Sequence, residues 1–350
     1  MKTSVKVFIS LFIIVTFIVT IGVGCKTATT TTAAAESTAA AAETTAAAGK
    51  EITIGVSIDS LQSQFWVANY DAIKAEAKKL NAVIVEAIAD GDTNKQQQQI
   101  ENFIALKVDA IICIPKDQKA IVAAVKKANE AGIPFITDNR AAAEGGKVAY
   151  NVGSDSKAMA MKEAQWLVDK AKKENKKFET LVLVGDLKDI NATIRDDGFG
   201  EVAKANPDQI EIVGKVPTEW KPEMALSGTI NALQSNQNIN CIFIPSDSLL
   251  PSVISALQQS NKYVKSSDPS HIVIATFDGA KEALDAIKEG YVDIVLVQDA
   301  ILTGQLCVQA AVKLANGETM EDANFYEQGF EVTQDNFSEK ANNAWGYAGK

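Results

Sequence analysis

Short apolar runs alternate with longer amphipathic segments along the chain from residue 51 onward. The runs are rich in β-branched residues and nearly continuous in apolar character, which is typical of strands buried on both faces of a parallel sheet. The ten runs are residues 52–58, 82–88, 110–114, 134–137, 148–152, 180–185, 210–216, 241–244, 271–277 and 293–297.

Segments with helical periodicity separate these runs. Residues 68–80 and 121–131 are two of them, and Gly132 followed by Pro134 ends the second. This alternation predicts an α/β fold built from βαβ units. Ten strands fit two doubly wound parallel-sheet domains better than one, because a single domain of about 100 to 200 residues would not hold them all.

The first 50 residues follow a different pattern. Lys2 and Lys6 precede a mostly apolar stretch, residues 7–21, which is shorter than the roughly 20 residues of a membrane-spanning helix. It predicts a signal peptide over residues 1–24. The stretch ends in small residues before Cys25, which resembles a bacterial lipoprotein signal and predicts lipidation of Cys25. Residues 25–50 are dominated by Ala and Thr and predict a flexible tether.

Composition and charge exclude several classes of function. The formal net charge is −10, and it becomes −12 if residues 1–24 are removed with their two lysines. An acidic chain without a basic stripe argues against nucleic-acid binding. One histidine and four scattered cysteines form no metal-ligand spacing. Asp90, Asp92, Asn94 and Glu101 have EF-hand spacing, but Lys95 stands where the loop needs Gly. A capped helix start explains these residues, so we predict no metal and no cofactor.

Polar and aromatic side chains follow the predicted strands at their carboxyl ends, where open α/β sheets bind ligands. Aromatic faces pack on the C–H faces of a sugar ring, whereas carboxylates and guanidinium groups hydrogen-bond its hydroxyls. The chain has only two arginines, Arg140 and Arg195, and both lie in such segments. None of these segments contains an obvious catalytic nucleophile. The segments are Asp59 with residues 62–66, residues 138–140, Asp186 with residues 195–199, residues 219–221, residues 246–247, residues 278–279 and residues 298–299.

Because these segments follow one another in a characteristic order, residues 52–331 resemble the type I periplasmic binding proteins of the ribose and galactose group. Those proteins are the substrate-binding components of bacterial sugar ABC transporters. The Asn-Asn-Pro-Phe-Phe stretch of that family falls on residues 62–66, its Asp-Arg on residues 139–140 and its Arg-x-x-Gly-Phe on residues 195–199. Its third aromatic falls on Trp220, its Asp-Gly on residues 278–279, and its hinge-side Gln on Gln298.

The resemblance implies a ligand-binding set with some departures from the family pattern. Ser63 and Asn139 replace Asn and Asp, Ser246 before Asp247 replaces Asn, and Asp138 could supply a shifted carboxylate. Ribose itself is therefore in doubt, because buried polar pairs set the specificity. The full set is Ser63, Phe65, Trp66, Asp138, Asn139, Arg140, Arg195, Trp220, Ser246, Asp247, Asp278 and Gln298.

The resemblance also implies an architecture and a role. Three hinge crossings are expected near residues 153, 299 and 328. One domain would comprise residues 51–153 and 299–327, and the other residues 154–298 and 328–350. The role would be that of a monomeric, lipid-anchored, extracytoplasmic protein, not an enzyme, that delivers a small sugar to an ABC permease. We expect Ala at Arg195 or Asp278 to abolish sugar binding with the thermal melt near wild type.

Other functions remain open. The same body could be a sugar or autoinducer receptor for a sensor kinase or chemoreceptor, or a nucleoside-binding lipoprotein. A hydrolase using Asp247 and Asp278 as a carboxylate pair is a further class.

Overall fold

The computed structural model describes residues 51–348. The predicted signal peptide, the tether and Cys25 lie outside these residues. The strands are β1 Ile52–Ile58, β2 Ala82–Ile88, β3 Ala110–Cys113, β4 Phe135–Asp138, β5 Tyr150–Ser154, β6 Phe178–Val184, β7 Ile210–Pro217, β8 Cys241–Ile244, β9 Val273–Asp278, β10 Ile294–Val297, β11 Asn324–Glu327 and β12 Phe330–Thr333. The α-helices are α1 Gln64–Lys79, α2 Thr93–Leu106, α3 Ile121–Glu130, α4 Ser156–Glu174, α5 Ile190–Ala205, α6 Pro222–Ser235, α7 Leu250–Gln259, α8 Lys281–Glu289, α9 Ala300–Ala315 and α10 Phe337–Lys340.

The strands form two six-stranded sheets. One sheet has the order β11-β5-β4-β3-β1-β2 and belongs to what we call the N lobe; the other has the order β12-β10-β9-β8-β6-β7 and belongs to the C lobe. Nine of the ten strand pairs are parallel, and helices follow most strands, as in doubly wound sheets. The predicted fold class of two doubly wound α/β lobes is confirmed.

The ten predicted strands match β1 to β10 with small shifts at their ends. The pattern missed β11 and β12, which have four residues each; β11 has no buried side chain, and β12 has two. Strand β12 pairs with β10 in the antiparallel direction, so the C-lobe sheet departs from parallel pairing at this edge. A short edge strand lacks the continuous apolar run that marks a central parallel strand.

The chain passes between the sheets three times. It leaves the N-lobe sheet after β5, returns to it after β10 through α9 and β11, and leaves it again between β11 and β12. The three-crossing hinge is thereby confirmed, whereas the limits of the two domains stay a prediction.

Side chains at the carboxyl ends of the strands start the helices that follow. Ser63 accepts a hydrogen bond from the backbone N–H of Phe65 at the start of α1, and Asp189 accepts one from Asn191 at the start of α5. Asp92 begins α2 in the same way. The capped helix start predicted there is present, and no group of residues able to hold a metal ion occurs within residues 51–348. No helix in that range is long and apolar enough to cross a membrane.

Candidate ligand-binding site

A cavity of about 440 Å³ lies between the two lobes. Its wall is built by the segments that follow β1, β2, β3 and β4 of the N lobe and those that follow β6, β7, β8, β9 and β10 of the C lobe. It therefore occupies the place where doubly wound sheets bind ligands. Of the twelve predicted site residues, the structure brings ten to this wall: Ser63, Phe65, Trp66, Asn139, Arg140, Arg195, Trp220, Ser246, Asp278 and Gln298.

A chain of side-chain hydrogen bonds runs across the cavity from one lobe to the other. Asn191 of the C lobe donates to Oδ1 of Asn139 at 2.7 Å, and Asn139 donates to Gln298 at 3.1 Å. Gln298 donates to Oδ1 of Asp278 at 2.5 Å, and Ser246 donates to Oδ2 of Asp278 at 2.6 Å. All five side chains are buried. Such a network fixes the positions of donors and acceptors, which is what discrimination between hydroxyl patterns requires.

Arg195 is buried in the C-lobe wall. Its Nη1 donates to the carbonyl of Pro245 at 2.7 Å and lies 3.5 Å from Oδ1 of Asp278. Its guanidinium lies 4.5 Å from the ring centroid of Phe277, a cation–π contact. Burial raises the pKa of Asp278, and the charge of Arg195 opposes that shift. The pair gives the wall one planar cation and one carboxylate side by side.

Arg140 lies between two carboxylates that come from different lobes. Its Nη1 donates to Oδ2 of Asp59 at 2.6 Å. Its Nε lies 2.7 Å from Oδ2 of Asp189, close enough for an ion pair although the N–H is not aligned on the oxygen. Burial alone would lower the pKa of Arg140, but Asp189 and Asp59 raise it. The guanidinium also lies 5.1 Å from the ring of Trp66.

The sequence-based set omitted Asp59, Asp189 and Asn191, all of which line the cavity. A signal for each was present. Asp59 directly follows β1, and Asp189 and Asn191 begin the helix that follows β6, which is the same helix that carries Arg195.

Aromatic rings form the apolar part of the wall. Phe65 and Trp66 meet edge to face with centroids 5.0 Å apart. Trp220 enters from the C lobe, and its indole N–H donates to Asp189 at 3.1 Å. Gly185 packs against this indole, and a methyl group there would overlap the ring. Residue 185 must therefore lack a side chain for the ring of Trp220 to reach the cavity.

The backbone at Trp220 is in the left-handed region, with φ of +60°, and so is that of Glu219, with φ of +51°. Consecutive residues of this kind persist only where the surroundings impose them, and they concentrate at ligand sites.

Trp345 supports the wall from behind. Its indole N–H donates to the backbone carbonyl of Asp278 at 2.7 Å, and its ring lies 5.9 Å from that of Phe65 in an edge-to-face contact. Sequence reasoning gave Trp345 no part in the site, because its position in the last ten residues matches no strand end.

Asp138 and Asp247, both in the predicted ligand-binding set, do not line the cavity, and their contact with a ligand stays a prediction. Asp138 is fully buried and accepts a hydrogen bond from Asn69 at 2.9 Å. Burial raises its pKa to about 7. Asp247 accepts from the backbone N–H groups of Gly279 at 2.9 Å and Ala280 at 2.6 Å. Burial and the charge of Asp278 raise the pKa of Asp247. Both carboxylates hold the segments that present wall residues.

Glu327 connects the three hinge crossings. Its Oε1 lies 2.6 Å from Oγ of Ser154 in the first crossing and accepts from the backbone N–H of Asp299 in the second at 3.1 Å. Its Oε2 accepts from the backbone N–H of Gly329 in the third at 2.6 Å. Burial raises the pKa of Glu327. A single carboxylate therefore contacts every segment that joins the lobes.

An ion pair crosses the cleft between Lys116 of the N lobe and Asp186 of the C lobe, with Nζ 2.8 Å from Oδ2. Burial acts to raise the pKa of Asp186, but Lys116 and the backbone N–H of Lys188 lower it. We expect Lys116→Met to weaken ligand binding by about 3- to 10-fold, because the closed arrangement loses this contact. Titration calorimetry with Lys116→Met, Asp186→Asn and the double variant measures the effect.

The double variant tests whether Lys116 acts through its ion pair with Asp186 or by contacting the ligand directly. If the ion pair acts, the double variant binds no worse than Lys116→Met alone. Strictly additive losses would contradict the role of the pair.

Comparison with known proteins agrees with this fold. The periplasmic binding protein domain family matches residues 54–319. The chain therefore belongs to the periplasmic binding proteins.

Individual relatives cover most of the chain. It is 31% identical over 273 residues to a ribose import binding protein of Bacillus subtilis, covering 78% of this chain and 84% of that protein. It also resembles a solved ABC transporter solute-binding protein from Bacillus halodurans with bound myo-inositol, with a TM-score of 0.75, 29% identity, and coverage of 83% of this chain and 97% of that one. The chain is also similar to a solved solute-binding protein from Actinobacillus succinogenes with bound D-allose. The TM-score is 0.73 and the identity 25%, and the match covers 82% of this chain and 99% of that protein.

Proposed function

We propose that this protein is the solute-binding component of an ABC importer, and that it binds a small neutral sugar or sugar-like polyol in the cleft and delivers it to a membrane permease. The observation that carries this proposal is the cavity between the lobes, where aromatic rings, two buried arginines and a continuous polar network meet. Rings and hydroxyls of a cyclic polyol match these groups. The relatives named for ribose import, and those holding myo-inositol or D-allose, support the ligand class.

The proposed mechanism is hinge closure. The N lobe would hold the ligand with Phe65, Trp66 and Arg140, and the C lobe with Arg195 and Trp220. A ligand that contacts both lobes favours the closed arrangement over the open one by the difference in its contacts. No bond is made or broken in this function.

The carboxylate pair of the hydrolase alternative does not fit the geometry. Asp247 lies outside the cavity wall and its Oδ2 already accepts two backbone N–H groups. It cannot flank a glycosidic bond with Asp278, as glycoside hydrolysis requires.

The location and anchoring belong to the same proposal. The family to which the chain belongs supports an extracytoplasmic location. We propose that residues 1–24 are removed on export, that Cys25 is lipidated, that residues 25–50 act as a tether, and that the protein is a monomer. The two domains would be residues 51–153 with 299–327, and residues 154–298 with 328–350.

A thermal-shift screen of the exported chain tests the proposal. The panel contains pentoses, hexoses, deoxy sugars, myo-inositol and nucleosides, each at 1 mM. A ligand with a dissociation constant near 1 μM should stabilise the folded state by about 4 kcal/mol, and calorimetry should give one site. Recovery of the ligand unchanged after long incubation separates binding from hydrolysis.

The result that would overturn the proposal is a panel in which no sugar or polyol raises the melting temperature. A response to nucleosides alone would favour the nucleoside-binding alternative. Neighbouring genes for a permease and an ATPase, rather than a sensor kinase, separate transport from signalling.

A further inference from the structure

Every lysine and arginine on the cavity wall already pairs with a carboxylate of the protein. Arg140 pairs with Asp59 and Asp189, and Arg195 with Asp278. Nearer the rim, Lys116 pairs with Asp186 and Lys221 with Glu219. Within residues 51–348, each cation of the wall therefore has a carboxylate of the protein within 3.5 Å, which competes with an anionic ligand for it.

The buried part of the wall carries more negative than positive charge. Arg140 and Arg195 contribute two positive charges, whereas Asp59, Asp189 and Asp278 contribute three negative ones, and all five side chains are at least nine-tenths buried. The excess lies at the Arg140 cluster, by which we mean Arg140 with Asp59 and Asp189. One carboxylate of this cluster comes from each lobe, so the excess acts across the cleft.

We infer that the site selects its ligand by charge: the Arg140 cluster admits a cyclic polyol that carries a protonated amine and excludes one that carries a carboxylate or phosphate. This inference rests on the proposed function and refines its substrate class. A protonated amine is close in size to a hydroxyl and donates hydrogen bonds without accepting any. It therefore suits a place beside a cluster whose two carboxylates outnumber its one guanidinium. An anion there would be repelled at short range in a medium that screens charge less than water.

The experiment measures dissociation constants by calorimetry for one ring in three charge states. The ring is the hexose that binds best among D-glucose, D-galactose and D-allose. Its derivatives are the 2-, 3-, 4- and 6-amino-deoxy sugars, the uronate and the 6-phosphate. We expect at least one amino sugar to bind within about threefold of the neutral hexose. We expect the uronate and the phosphate to bind about 100-fold more weakly or worse.

Two single variants assign the effect to the Arg140 cluster. Asp59→Asn in the N lobe and Asp189→Asn in the C lobe each remove one charge and preserve shape. Each should raise the ratio of the amino-sugar to the neutral-sugar dissociation constant by about 10-fold. If one variant fails to fold, the other gives the answer from the opposite lobe. Asp71→Asn, an exposed position on α1 that pairs with Lys74, is the matched control and should leave the ratio unchanged.

Failure of this inference is distinct from failure of the proposed function. If no neutral hexose or other polyol binds, the proposed function fails. If the neutral hexose binds and the uronate binds equally well, or every amino sugar binds more than 100-fold more weakly, charge selection is wrong while sugar binding stands. Unchanged ratios in both cluster variants would also overturn it.

Discussion

Replacing Arg195 with Ala should weaken sugar binding by about 100- to 1000-fold and also lower the free energy of unfolding by about 3 to 5 kcal/mol. The loss of binding follows from the place of Arg195 on the cavity wall. The loss of stability follows from burial, because Asp278 is 3% exposed and would lose the cation that offsets the cost of burying its carboxylate. Calorimetry and urea unfolding measure the two effects.

The structure therefore changes one expectation drawn from the sequence, which was that the thermal melt of such a variant stays near wild type. The double variant Arg195→Met with Asp278→Asn separates the two effects. It removes both charges and preserves volume, so it should recover most of the stability and none of the binding. Lys157→Ala removes a cation from the surface of α4 and is the control, because it should leave both binding and stability nearly unchanged. Undiminished sugar binding by Arg195→Ala would show that the cavity is not the site.

Replacing Asp138 with Asn should stabilise the protein at pH 8 and leave its stability nearly unchanged near pH 4. The pKa of Asp138 is about 7 in the folded protein against an ordinary value of 3.8. Because the folded pKa is raised, the stability contributed by the protonated form is complete below about pH 4 and is lost as the pH rises through 7. The difference corresponds to at most about 4 kcal/mol. An Asn can still accept the hydrogen bond from Asn69.

Urea unfolding of wild type and Asp138→Asn at pH 4.5, 6 and 8 tests this prediction. The gap between the two proteins should widen across the series. Asp71→Asn, which lies on the exposed face of α1, should track wild type at each pH. A gap of equal size at all three values would contradict the role of the ionised carboxylate and indicate a packing effect instead.

The differences between the predicted set and the cavity wall have local causes. Asp138 is the last residue of β4, and the next residue, Asn139, leaves the strand with a left-handed backbone of φ +59°. A sequence pattern places both at the correct edge of the sheet but does not show which one faces the cleft. Asp247 is turned toward the backbone of the loop after β9, a contact between chain segments that no local pattern records.

The residues that the sequence-based set omitted depend on how the lobes meet. Asp59 and Asp189 are about 130 positions apart in the chain and become partners of the same arginine only when the two sheets face each other. The aromatic residues of the wall and the ends of the strands could be predicted because they depend on local order. The Arg140 cluster could not, because it exists only in the assembled cleft. For the same reason, Trp345 could not be assigned before the C-terminal segment was seen to pack beside Phe65.

The contacts of Glu327 bear on how the lobes can move. A rotation that separates one crossing from the other two would lengthen a hydrogen bond of this carboxylate, whereas a rotation that carries all three together preserves every bond. Twisting and shearing therefore cost more than simple bending, and the lobes keep one preferred axis of opening. Each new closure therefore brings the same residues of the two lobes back into the same alignment around the ligand.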